Sequence, residues 1–306
     1  MTLTDSTTCP PDLPVGPLKK ISTKLQMFLL AFINNLSGGV SSIDLQNLVF
    51  LYENKLNLNY FEFLPCKSGP FSFQLDYDLG WLVKFGYLTA EEPIVPTTSV
   101  GPIFPIDQAQ IDPLRNDLLA EKLFNLYPYY AINFDLNNQN KNYNNSIIEN
   151  VSNYKFNLSK QSDQIMFSFG YEGITVESFF NTLLLNNIYT LCDVRKNAFS
   201  YKFGFSKSIL KTITGAIGVK YIHIPELGID TALRKLYSSP SDYGKLFEIY
   251  KESLSAKTAY LDKLSEYLKS ENRLVLMCME KNPKDCHRTI ILNYMAENYN
   301  IVVNSL

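Results

Sequence analysis

The stretch CMEKNPKDCHR, residues 278–288, holds two of the chain's five cysteines, one of its two histidines and an arginine. Thiol, imidazole, carboxylate and guanidinium are the groups from which nucleophiles, proton carriers and anion clamps are made. The apolar run RLVLM precedes the stretch and TIILNYM follows it, so it reads as the junction between a strand and a helix. With Asp285 as N-cap, Cys286, His287 and Arg288 occupy the first helical turn. Unpaired N–H groups and the helix dipole favour an anion there, and Arg288 can clamp it. Two roles stay open. Cys286 is a nucleophile whose thiolate that environment favours, or the turn merely holds an anionic ligand. Cys278, at the end of an apolar strand, reads as core packing. Glu280 points to the same side two residues on and is a candidate general base. Zinc is not expected, because the cysteines are eight apart and Cys286 and His287 are adjacent.

Three more clusters follow apolar runs. Gly170-Tyr171-Glu172-Gly173 is a tight turn on which a phosphate can rest, although it lacks the full dinucleotide fingerprint. Asp193 and Arg195 alternate on one face: either they are an internal ion pair that shapes the site, or Arg195 holds a ligand phosphate while Asp193 orients it; ligand contact is favoured for Arg195 and a structural role for Asp193. His223, the other histidine, is a candidate proton shuttle, with Glu226 beyond it.

The elements that must position these groups alternate. From about residue 164, strands (QIMFSFG, IYTLCDVR, VKYIHI, NRLVLMC) are separated by helical patterns, and IVVNSL adds one more extended run. That rhythm predicts a Rossmann-like α/β domain over 164–306, a parallel sheet covered by helices on both faces. In such sheets ligands sit beyond the carboxyl ends of the strands, where all four clusters fall.

The N-terminal half reads differently. KLQMFLLAFINNL is apolar all round, as a buried helix is. A second helix is expected with Ser42 as its cap, then an extended segment, a KSGP turn and the helix SFQLDYDLGWLVKFGYL. This order suggests a winged-helix module over 21–134. Residues 1–20 are expected to be a flexible tail. The Asn-rich run from 135 to about 163 is expected to be a linker, too polar to bury much surface. A net charge of −2, with 46% hydrophobic and 19% charged residues, fits a globular protein and does not mark a nucleic-acid binder by bulk charge. The odd cysteine count, the absence of a basic-then-apolar start and the lack of a long apolar run point to the cytoplasm and away from a membrane.

Phe63, Pro65, Lys67, Gly69, Pro70, Phe71 and Ser72, with LFNLYPYYAIN downstream, resemble winged-helix modules of the YwgA and SocA-like type; Cys66 stands where an aromatic is commoner. Residues 165–306 resemble the DUF488 family in four ordered motifs: the Gly170–Gly173 turn, Asp193-Val194-Arg195, the Tyr221-to-Gly228 run, and Cys278-x-Glu280 followed by Cys286-His287-Arg288. The resemblance implies an α/β fold and a site built from these motifs, with no established reaction. The reading they support is an enzyme acting on a phosphate-bearing nucleotide or nucleic-acid substrate by hydrolysis or transfer, in DNA maintenance or defence. Glu280, Cys286 and His223 supply the chemistry; Gly170, Tyr171, Glu172, Gly173, Asp193, Arg195, Glu226, His287 and Arg288 hold the ligand. No cofactor is assigned. The alternatives are a nucleotide-sensing transcriptional regulator without catalysis, whose N-terminal module reads DNA, and a protein-interaction adaptor that uses the same module, as its acidic residues permit.

Overall fold

A computed structural model describes residues 21, 23–97, 104–115, 119–134, 145–159, 163–237 and 242–306. The chain divides into two compact units, one within Met1–Phe61 and Gln74–Asn116, the other within Glu62–Phe73 and Asp117–Leu306. The expected tail and residues 135–144 and 160–162 of the expected linker lie outside the described residues.

The first unit is mainly helical: α1 (Lys24–Asn34), α2 (Ser42–Leu56), α3 (Phe73–Lys84) apart from its first residue, and the short α4 (Gln108–Ile111). Thr23 caps α1 by accepting from Gln26 N at 3.1 Å. Residues Phe28 to Ile33 are all buried, as the all-round apolar pattern requires. Helix α2 is capped by Ser41, one residue before the expected Ser42, and ends where Asn57 turns left-handed at φ 52°. Rings of Phe28 and Tyr60, 4.5 Å apart, and of Phe32 and Tyr52, 5.2 Å apart, fill the space between elements.

The second unit opens with an antiparallel hairpin, β1 (Leu64–Cys66) and β2 (Gly69–Phe71). Gly69 takes φ 104°, which a side chain resists. Helices α5 (Leu119–Leu126) and α6 (Asn145–Ser159) follow. Helix α6 differs from the linker expected of this polar stretch. Ile147 and Val151, four residues apart, lie on one face and are buried, while the asparagines around them stay polar. Hairpin and helices divide with this unit, not with α1–α3. Asn133 Nδ2 bonds Pro65 O at 2.7 Å and Ile217 O at 3.1 Å.

The remainder alternates as expected: β3 (Ile165–Gly170), α7 (Val176–Leu185), β4 (Thr190–Asp193), α8 (Lys207–Ile217), β5 (Lys220–His223), α9 (Thr231–Leu236), α10 (Tyr243–Ser253), α11 (Thr258–Glu271), β6 (Arg273–Cys278), α12 (His287–Tyr299) and β7 (Val302–Ser305). The strands form one parallel five-stranded sheet in the order β5-β4-β6-β3-β7. Side chains alternate across it. Val275 and Met277 of β6, with Phe167 and Leu191, pack on α7 and α8. Leu274 and Leu276, with Met166 and Cys192, pack on α10, α11 and α12. Both faces are therefore covered.

Connections from β3 and β6, neighbours in the sheet, diverge: β3 leads through α7 toward β4, while β6 leads through α12 to β7 on the opposite flank. Such a reversal beyond the carboxyl ends of neighbouring strands is where open α/β sheets commonly take ligands. The register aligns those ends, pairing Gly170 with Cys278, and Asp193 with both Met277 and His223. Among the described residues no helix is long and apolar enough to cross a membrane.

Glu53, buried on α2, accepts from Phe61 N at 3.2 Å and 3.3 Å. Burial raises its carboxyl from 4.5 to about 7, and the amides of Phe61 and Tyr60 offset this only in part. The folded chain therefore binds this proton more tightly than the unfolded one. Stability from the group is complete below pH 4.5 and is lost as the pH rises through about 7, by up to ~3 kcal/mol. Urea denaturation across that window should show the wild type losing stability more steeply than Glu53→Gln.

Candidate functional site

Two buried polar networks meet at the carboxyl edge of the sheet. The first is built on the end of β4. Asp193, fully buried, holds Arg195 through paired hydrogen bonds, Nε to Oδ1 at 2.8 Å and a terminal nitrogen to Oδ2 at 2.7 Å. Arg195 also donates to Tyr171 Oη at 2.9 Å and lies over its ring, and Tyr221 donates to Asp193 Oδ2 at 2.8 Å. Burial alone would disfavour the charged guanidinium; the Asp193 carboxylate outweighs that and holds it above the ordinary arginine value. Arg195, read from sequence as a ligand contact, thus spends its bonds inside the protein. His223 Nε2 lies 2.9 Å from Arg195 O and its Nδ1 lies 3.0 Å from Lys207 Nζ. A carbonyl only accepts and an ammonium only donates, so the ring carries its proton on Nε2. Glu226 sits half-buried on the turn Pro225–Leu227, where Tyr250 Oη donates to Leu227 O.

The second network is the 278–288 stretch. Cys286 Sγ and Cys278 Sγ each lie 3.0 Å from the same oxygen, Glu280 Oε2. His287 Nδ1 lies 3.7 Å from Cys278 Sγ and 3.9 Å from Cys286 Sγ, and its Nε2 donates to Val194 O at 3.1 Å. Both thiols and the imidazole are buried, whereas Glu280 keeps 24% of its side chain exposed. The donor atoms of Cys278, Cys286 and His287 all fall within 4.8 Å of one another.

Local structure explains this convergence. Cys278 ends β6. The chain then turns through Pro283–Asp285, capped by Asn282, which accepts from Lys284 N at 3.1 Å. Asp285 caps nothing; the N-cap of α12 is Cys286, whose extended backbone (φ −133°, ψ 136°) returns its thiol toward β6. Arg288, buried in the first turn, donates to Glu280 O at 2.5 Å and Lys281 O at 3.2 Å. Like Arg195 it grips the chain itself. The Gly170–Gly173 turn locks onto the same loop: Tyr171 N to Cys278 O at 3.3 Å, Glu172 N to Met279 O at 2.9 Å, and Lys281 N to Glu172 Oε2 at 3.0 Å. A Cβ on Gly170 would lie 1.9 Å from Glu280 O.

The electrostatics follow the contacts. Burial would raise the Glu280 carboxyl, but hydrogen bonds from both thiols and the charge of Arg234 hold it down at about 2. Burial likewise opposes the Cys286 thiolate; contacts with Cys278 and His287 outweigh it and bring the thiol below its ordinary value. The Cys278 thiol is pushed well above its ordinary value, first by its hydrogen bond to Cys286 and then by burial.

Glu280 also lines a pocket with Arg234, Tyr237, Tyr243, Phe247 and Asp285. Arg234 pairs with Glu280 Oε1 at 3.4 Å. Where the structure brings Glu280, Cys286, His287, Arg288 and Gly170 to one place and Asp193, Arg195 and Tyr171 to another, sequence reading expected all four clusters on one rim. It took Cys278 for packing and passed over Tyr221, Arg234 and the three pocket aromatics. Tyr221, two residues before His223, carried a signal in its motif; the pocket residues come from separate helices and carried none.

Removing one member of a buried ion pair leaves the other uncompensated. Asp193→Ala is expected to lower stability by about 3–5 kcal/mol, measured by thermal and chemical denaturation; a loss below about 1 kcal/mol, typical of exposed pairs, would contradict this arrangement.

No curated protein and no solved structure matches the chain. Residues 175–295, from the start of α7 through most of α12, match the family model described as "Domain of unknown function DUF488".

Proposed function

We propose that the C-terminal unit is an enzyme that hydrolyses or transfers part of a nucleotide-like substrate, with Glu280 moving the proton. One observation carries this reading. Glu280 borders both the aromatic-lined pocket and the buried thiol–imidazole cluster. Tyr237, Tyr243 and Phe247 suit a planar ring, and Arg234, half-exposed at the pocket, suits an anionic group on the same molecule. Arg195 and Arg288, with their internal partners, serve as supports for the site in this reading. Glu280 is a weak base while both thiols donate to it; once those hydrogen bonds are given up its basicity rises, and it takes a proton from the attacking water or hydroxyl. The freed oxygen bonds to the carbon or phosphorus under attack, the bond to the leaving group breaks, and the proton passes to that group.

In this proposal the helical N-terminal unit is a docking module. Its α3 carries a single cation, Lys84, beside Asp76 and Asp78, which favours a protein partner over direct reading of DNA phosphates.

Incubation of the full chain with a panel of nucleotides and DNA, followed by mass spectrometry, tests the reading. The wild type is expected to form a product. Glu280→Gln, nearly isosteric, is expected to lose about 10²–10⁴ in rate with its thermal midpoint preserved. A nucleotide retained unchanged by both proteins would instead favour a sensor, and equal rates in both would remove Glu280 from the chemistry.

A further inference from the structure

We propose that Cys278, Cys286 and His287 bind a zinc ion through their two Sγ atoms and Nδ1, with Glu280 on the fourth side toward the pocket. The inference rests on Glu280 as proton carrier only for what the ion does, not for its binding.

The geometry carries it. Zinc takes thiolate sulfur at about 2.3 Å and imidazole nitrogen at about 2.0–2.1 Å in a tetrahedron, which sets sulfur and nitrogen about 3.5 Å apart. Here those separations are 3.7 Å and 3.9 Å, and all three donor atoms fall within 4.8 Å of one another. Glu280 Oε2 lies 3.0 Å from each sulfur.

Second-contact chemistry agrees independently. His287 donates its Nε2 proton to Val194 O at 3.1 Å, so Nδ1 presents a lone pair to the two thiols. Metal-binding histidines fix their tautomer in this way, by giving the other N–H to a carbonyl or carboxylate. Tyr250 packs edge-on against the ring at 5.5 Å, which further sets its plane. Both thiols and the ring are buried, as ligands of soft character are, and the thiolate–imidazole set selects zinc over calcium or magnesium. Two thiolates and one neutral imidazole cancel the charge of a divalent ion, releasing the two thiol protons. The eight-residue spacing that argued against zinc in the sequence is bridged by the turn from β6 into α12. A water on the fourth side would then give its proton to Glu280, and the resulting zinc-held hydroxide is the attacking oxygen of the reaction above.

The test uses the full chain, purified reduced from cells grown with added zinc and dialysed. Elemental mass spectrometry should find stoichiometric zinc in the wild type and its loss in Cys278→Ser and in Cys286→Ser. Because a serine variant can fail to fold, the wild type is also stripped and reloaded with cobalt(II). Thiolate-to-cobalt charge transfer with tetrahedral d–d bands is the expected spectrum. A reduced wild type that holds no zinc and shows no such spectrum overturns the site, whether the thiols are then found free or joined as a disulfide. Zinc bound with no turnover on the nucleotide panel sustains the site and removes the enzyme reading; turnover with no zinc bound does the reverse.

Discussion

Beyond the paired carboxyl ends of β3 and β6 the Cα of Gly170 sits against the main-chain carbonyl of Glu280, so close that a Cβ would stand 1.9 Å from the oxygen. Everything in the candidate site depends on that approach. It lets the Tyr171 and Glu172 amides continue the ladder onto Cys278 and Met279 beyond the strands. It also leaves the Glu280 carbonyl where Arg288 can reach it from the first turn of α12. A buried arginine is costly unless its donors are used; here the two terminal nitrogens tie down residues 280 and 281, while Nε is left without a partner among the described residues. Held at one end by Gly170 and at the other by Arg288, the loop must fold back, and Cys286 returns to Cys278.

The same edge of the sheet separates support from chemistry by burial. Asp193, Arg195, Tyr171 and Tyr221 form a closed set in which every charge has a partner, and its product is a fixed position for Val194 O. That carbonyl sets the tautomer of His287. In the neighbouring set one member, Glu280, reaches the pocket. A carboxylate between a buried thiol–imidazole cluster and an aromatic-lined cavity is the group on which the reading proposed above turns.

Much of this was legible in the sequence, for physical reasons. Strands buried on both faces read as apolar runs, and LVLMC and IMFSFG needed no partner to be recognised. Parallel strands present their carboxyl ends on one edge, so the polar residues after each run had to share it. What sequence could not supply was direction. Arg195 and Arg288 carry the residue type of an anion clamp, yet both turn to acceptors of the protein itself, Arg195 to Asp193 at the end of its own strand and to Tyr171, Arg288 to the loop carbonyls of Glu280 and Lys281. Cys278 looked like packing because its environment depends on Cys286, which the loop brings back. Helix α6 was hidden by asparagines around Ile147 and Val151. The pocket aromatics Tyr237, Tyr243 and Phe247 become neighbours only when α9 and α10 pack.

The central claim, that the loop from β6 to α12 exists to bring two thiols and an imidazole to one point, is tested most directly by anomalous diffraction at the zinc edge from crystals of the reduced full chain. The account predicts a single strong peak about 2.3 Å from both Cys278 Sγ and Cys286 Sγ and about 2.0–2.1 Å from His287 Nδ1, with Glu280 beside it. A crystal with these side chains ordered and no peak between them would contradict it.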